Sequence, residues 1–80
     1  ALLHDRDLLS VRLDPEARSG ELVGRMIRDC TLPDGVLVAL VRRGPEVVFP
    51  RGDTLLLEGD RVCFIGEEAG LDELGRRYRG

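Results

Sequence analysis

Two adjacent arginines, Arg42 and Arg43, carry the sharpest chemical signal in this 80-residue sequence. They close the apolar run VLVALV at residues 36–41 and are followed by Gly44-Pro45. A guanidinium offers a planar fork of donors that matches phosphate or carboxylate oxygens. Apolar Leu37, Val38, Phe49 and Pro50 lie close by in the sequence, and side chains of that kind hold a base or ring beside an anion. On a strand, neighbouring side chains point to opposite faces, so only one of the two arginines can face a given pocket. The alternative is structural: a charged hairpin tip that discourages pairing of sheet edges. On the residues alone both readings stand.

No other group of residues makes a catalyst. His4 is the single histidine and sits near the start of the chain, where it reads as a solvated linker residue. Ser10, Ser19, Thr31 and Thr54 have no neighbouring base and no Gly-x-Ser-x-Gly elbow. The glycine-rich phosphate cradles are missing too, since neither Gly-x-x-x-x-Gly-Lys-Ser/Thr nor Gly-x-Gly-x-x-Gly occurs. Asp53, Glu58 and Asp60 lack the alternating ligand spacing of a calcium loop and read as turn formers. Cys30 and Cys63 are the only cysteines, and both lie in or beside apolar segments, which reads as packed, reduced thiols of a cytoplasmic protein. The expectation is a protein that is not an enzyme and has no resident cofactor or metal.

The charge balance narrows the partners. The net charge is −3, and all twelve basic residues are arginine. A domain that reads phosphate backbones is normally basic, so nucleic acid is disfavoured. No apolar run approaches the roughly 20 residues that span a bilayer, so no direct membrane insertion is expected. The terminal RRYR reads as a solvated helix end rather than a lipid patch. The chain starts at Ala1 without Met and carries no secretory leader pattern, and it is read as a piece of something longer.

Small elements must position these residues. Residues 1–6 have no period and read as a linker, with one domain over 7–80. In DLLSVRLD, Leu9, Val11 and Leu13 alternate with Ser10 and Arg12, the pattern of a half-buried strand that Pro15 stops. In SGELVGRMIRDC, Leu22, Val23, Met26, Ile27 and Cys30 fall at helical spacing. Ser19 is the expected N-cap there, and Gly24 in mid-helix implies close packing against another backbone. LPDG is a turn, VLVALV a strand buried on both faces, and EVVF its hairpin partner across Gly44. Phe49-Pro50-Arg51-Gly52 has the composition of a β-turn, TLLLE of a short strand, and RVCFIG of another. The tail spaces Leu71, Leu74 and Tyr78 for a helix with acids first and arginines last. The order βαββ(β)βα is an α+β fold with two helices on a small, mostly antiparallel sheet.

Taken in order, ELVGRMI, LPDGVLVALVRRG and VVFPRGDTLLLEGDRVCFIGE resemble the C-terminal regulatory domain of RCK/KTN proteins, the TrkA-C domain. The likeness rests on Leu22 and Gly24, on Leu32-Pro33, on the strand from Val38 to Gly44, on Pro50 and Leu55 to Asp60, and on Val62 to Gly66. It implies a dimerising α+β module attached to potassium transporters, channels or other membrane carriers, on the cytoplasmic side of the membrane. Some members hold a regulatory ligand between subunits, including cyclic di-AMP, and others hold cations. Carried over, the ligand contacts would be Leu37, Val38 and Arg42 or Arg43, with Phe49 or Pro50 nearby. The polar residue that often holds phosphates on the returning strand is replaced by Val47-Val48-Phe49.

The resemblance agrees with the size argument. A chain of this length buries only about 60–65% of its unfolded surface, so its core is marginal. With disulfides and metals disfavoured, self-association is the remaining support. Met26, Ile27, Val36 and Val38 are the expected interface of a homodimer, whose two-fold cleft would set paired arginines against a symmetric anionic effector such as a cyclic dinucleotide.

Overall fold

The structure is a computed structural model and describes residues 8–79; the linker expected at 1–6 lies outside those residues. Strand β1 (Leu8–Arg12) keeps the alternation read from its sequence, with Val11 buried and Arg12 exposed. Leu13 prolongs the strand's contacts. Its N–H donates to the Asp60 carbonyl and its own carbonyl accepts from Gly59, both at 2.8 Å. The corner that follows is pinned by Ser19, which is 2% exposed. Its hydroxyl accepts from the Asp14 N–H at 3.0 Å and donates to the Arg12 carbonyl at 2.8 Å. Ser19 is therefore a corner clamp and not the N-cap that its type suggested.

The helix expected over residues 19–30 does not form. Two 3₁₀ turns, Arg18–Leu22 and Ile27–Asp29, stand in its place. Gly24 separates them at φ +83°, a left-handed conformation that no α-helix contains. A Cβ placed on Gly24 would meet nothing within 4 Å, so this glycine is there for its φ and not for close packing. The backbone between the turns pairs with a distant segment. Gly24 N–H donates to the Leu56 carbonyl, Leu56 N–H to Arg25, and Ile27 N–H to Thr54, at 2.8–3.0 Å. Met26 and Leu55 form an isolated antiparallel bridge. The short strand read in TLLLE is reduced to that ladder, which buries Leu56 and leaves Leu55 and Leu57 exposed.

Strand β2 (Val36–Arg43) turns at Gly44, φ +60°, into β3 (Glu46–Val48). β4 (Arg61–Gly66) lies between β1 and β2, giving the antiparallel order β1-β4-β2-β3. A register shift between Val38 and Leu40 bulges β2. The run at 36–41 is consequently not buried on both faces. Val38 and Val41 turn inward, while Leu37 is 56% exposed. The turn expected over residues 49–52 sits two residues later, closed by Thr54 N–H onto the Arg51 carbonyl at 3.0 Å. Helix α1 (Glu68–Tyr78) covers one face of the sheet with Leu71, Leu74 and Tyr78, as the spacing required. Its approach is close, because a Cβ on Gly70 would come within 2.5 Å of Val36 Cγ2. These side chains join Val11, Leu13, Val62 and Phe64 in a single core beneath the helix. The α+β class with an antiparallel sheet is thus borne out, with one α-helix and two 3₁₀ turns among the described residues.

Candidate functional site

The helix covers one face of the sheet, and the other face is open. Its outward side chains fall into three rows set by strand register. At one end Leu8 pairs with Ile65, and Ile65 with Leu37. In the middle Ser10 pairs with Cys63, and Cys63 with Leu40. At the far end Arg12 pairs with Arg61, Arg61 with Arg42, and Arg42 with Val47 on β3. Partners directly opposite in a sheet project from the same face, so one end is apolar and the other is three arginines wide. All three arginines are exposed. None forms an ion pair or side-chain hydrogen bond among the described residues. A hollow of about 580 Å³ lies on this face, lined by Leu8, Ser10, Cys63, Arg42, Arg61 and the glycines at 44 and 59.

Arg42 and Arg43 part company. Arg42 faces out, whereas Arg43 turns to the other side and is committed to Asp60. Its Nε donates to Asp60 Oδ1 at 2.9 Å and its Nη2 to Oδ2 at 2.8 Å, a bidentate fork. Nη2 also donates to the Leu55 carbonyl at 2.9 Å. Asp60 is 1% exposed and takes a further hydrogen bond from the Leu57 N–H at 2.9 Å. Burial alone pushes the Asp60 carboxyl up, but the Arg43 hydrogen bond, the Leu57 N–H and the Arg43 charge outweigh it and hold the group below its ordinary value. The same hydrogen bond raises the Arg43 guanidinium. Arg43 therefore ties the end of β2 to the turn before β4, with its Nε and Nη2 donors committed there.

The remaining expected site residues scatter. Val38, offered both as ligand contact and as interface, is 9% exposed and belongs to the core, because the strand alternation turns it under the helix. Val36 packs partly against the same core. Leu37 stands on the open face, Phe49 is 79% exposed just past β3, and Pro50 is half-buried beside it. Met26 and Ile27 are half-buried on the short ladder with residues 54–56. Cys30 and Cys63 are unpaired, and burial pushes the Cys30 thiol up against a smaller lowering by Arg25. No group of three His, Cys, Asp or Glu side chains suited to a metal occurs among the described residues. Nor is any described helix long and apolar enough to cross a membrane.

The TrkA-C domain family model matches residues 8–78. The chain belongs to that family. A TrkA-C domain is also what the residue pattern resembled, and the open face now has relatives to set it beside. The Trk system potassium uptake protein TrkA homolog 1 of Methanosarcina mazei is 30% identical over 63 residues, covering 79% of this chain but 14% of that protein. The K(+)/H(+) antiporter NhaP2 of Shewanella oneidensis is 32% identical over 56 residues, covering 70% of this chain and 10% of the antiporter. This TrkA-C domain thus corresponds to a small part of much longer transport proteins. A solved structure described as "Structure of RCK domain with cda" superposes with a TM-score of 0.73 at 22% identity, covering 90% of this chain and 97% of that one, and so shares its fold.

Arg12 and Arg61 were not singled out from the sequence. Alternation puts each on the outward side of its strand. Their alignment with Arg42 depends on pairings between residues 19 and 49 positions apart, which no local pattern encodes.

Proposed function

We propose that this TrkA-C domain is the cytoplasmic regulatory module of a cation-transport protein, with potassium the transported ion. It acts as a homodimer that takes an anionic effector of the cyclic-dinucleotide class, cyclic di-AMP foremost, and has no catalytic role. The observation that carries the reading is the family match over residues 8–78, with relatives named as potassium uptake and potassium/proton antiport proteins. The surface supports it physically. Leu37, Phe49, Leu55 and Leu57 are all between 39% and 79% exposed, an amount of bare apolar surface that a second copy would cover. Arg42 and Leu37 stand at opposite ends of the open face, and Phe49 and Pro50 follow the adjacent strand, so a ligand spanning that face would meet cationic contacts at one end and apolar walls at the other. A ligand held in a two-fold cleft stabilises the dimer by mass action, which gives the coupling that a regulator needs.

One observation favours a second reading, a dimerisation scaffold without a small-molecule ligand. Past Glu46, an acid that would repel a phosphate, the strand that returns from the hairpin presents Val47 and Val48 and then Phe49, with no donor side chain to hold one. Two measurements separate the readings. Light scattering at tens of micromolar gives a dimer under both, and a monomer sinks both. Titration with cyclic di-AMP raises Tm under the regulatory reading, and the rise is lost in Arg42→Gln. A dimer whose Tm ignores the dinucleotide is the scaffold.

A further inference from the structure

No ion pair or packing contact among the described residues accounts for the row Arg12–Arg61–Arg42. Like charges directly opposite one another destabilise a sheet, and here the juxtaposition occurs twice in succession on neighbouring strands. Backbones of paired strands stand about 4.8 Å apart, so the three arginine positions span about 10 Å. The chain as a whole has more acids than bases, at a net charge of −3. Even so, no described acid answers these three charges. Asp60, the neighbour of Arg61, faces the other way and is taken by Arg43.

We infer that the arginine row is an anion-recognition site for a small soluble ligand bearing two or more phosphate charges, with Arg12 and Arg61 as contacts alongside Arg42. This deepens the proposed reading at Arg42, and its test is separate from that of dimerisation. Three forks over that span suit several oxygens at once, since guanidinium–phosphate pairs are bidentate. Arg42 and Arg61 line the 580 Å³ hollow, a volume typical of small-molecule sites. Its floor carries Ser10, whose Oγ accepts the Cys63 thiol at 3.9 Å and keeps its own O–H to donate. Glycines at 44 and 59 form part of the rim, and a Cβ at either would meet nothing, so the approach is bare. A membrane surface is the poorer occupant: three arginines on an acidic domain fall short of the larger basic cluster that anionic lipid recognition uses.

The test uses this purified chain and inorganic pyrophosphate as the probe. Pyrophosphate should raise Tm with the logarithmic concentration dependence of a single binding site, above the effect of sodium chloride at matched ionic strength. Arg61→Gln and Arg12→Gln should each weaken the apparent affinity about tenfold or more, the loss expected for a charge-assisted contact. Arg79→Gln, at the end of the helix on the opposite side of the sheet, should leave it unchanged. Without ligand, Arg61→Gln should hold or raise Tm by removing a repulsive neighbour, whereas a residue needed for folding would lower it. A response equal to that of chloride overturns the inference, as does one that survives both row substitutions. Co-sedimentation with phosphatidylglycerol vesicles in the absence of any pyrophosphate effect also overturns it and assigns the row to lipid. A monomeric chain that binds pyrophosphate through the row would keep this inference and remove the homodimer.

Discussion

Replacing Arg43 with Met separates the two adjacent arginines by energy. Arg43→Met removes both hydrogen bonds to Asp60 and the one to the Leu55 carbonyl. The carboxylate stays behind at 1% exposure with the Leu57 N–H as its remaining partner. Stranding a buried charge in this way costs about 3–5 kcal/mol. The Arg43 side chain is 35% exposed, so water can reach part of the gap, and about 2–4 kcal/mol is the working figure. At roughly 4–8 °C per kcal/mol for a domain of this size, Tm should fall by at least about 8 °C. Arg42→Met touches no partner and should stay within about 0.5 kcal/mol of the parent. The pH dependence fixes the cause. Asp60 has a lowered folded value, so its contribution is present above the unfolded carboxyl range near pH 4 and is lost as pH falls through the folded value. The gap between parent and Arg43→Met should therefore be widest near neutrality and shrink in acid, where a protonated Asp60 no longer needs the cation. Adding Asp60→Asn to Arg43→Met should recover part of the loss. Thermal unfolding followed by circular dichroism from pH 7 to pH 3 measures all of this. Equal effects of the two arginine substitutions, or a pH-independent gap, would refute the argument.

Gly24→Ala should lower stability by about 1 kcal/mol, because alanine resists φ +83° although its methyl has room; the helix expected from spacing predicts the opposite sign, so chemical denaturation decides between them. Phe49→Ser should weaken self-association seen by sedimentation while leaving the unfolding free energy of the dissociated chain within about 0.5 kcal/mol of the parent, since Phe49 is 79% exposed. Leu74→Ala, at 0% exposure in the core, should cost about 2–5 kcal/mol in the same denaturation assay. The Cys30 thiol, raised by burial and donating to the Met26 carbonyl at 3.5 Å, should alkylate slowly at pH 7.5 and accelerate only above the ordinary thiol range, as mass spectrometry of iodoacetamide-treated protein can follow.

What was legible in the sequence was local. Alternation in β1 and β4, the glycine turn at 44 and the 3-and-4 spacing of Leu71, Leu74 and Tyr78 each depend on residues within one element, and each is found in the structure. Residues 19–30 had equally good helical spacing, and there the reading failed for a non-local reason. The N–H and C=O groups around Gly24 find partners on residues 54–56, and a helix would have consumed them itself. The bulge at Val38–Leu40 had the same kind of consequence, turning an apolar run that looked doubly buried into a strand with Leu37 on an open face. For the site, the sequence named Arg42 and Leu37 but could not say which arginine was free.

That division between neighbours follows from the pleat and from a single acid. β2 sends Arg43 to the side where Asp60 waits beneath the turn, and the fork there fixes the end of the hairpin against β4. With that end held, Arg42 must emerge on the opposite face in register with Arg61, which is itself positioned by its pairing with Arg12. The buried ion pair thus sets the geometry of the exposed row, and a charge that would cost stability if unpaired inside specifies where three charges stand outside. Repulsion in that row, of order 0.2–1 kcal/mol for each opposed pair, is a small share of the domain's margin of stability. An anion that binds there would stabilise the folded sheet by mass action, rising with the logarithm of its concentration above Kd, so stability can report binding without any hinge or second conformation.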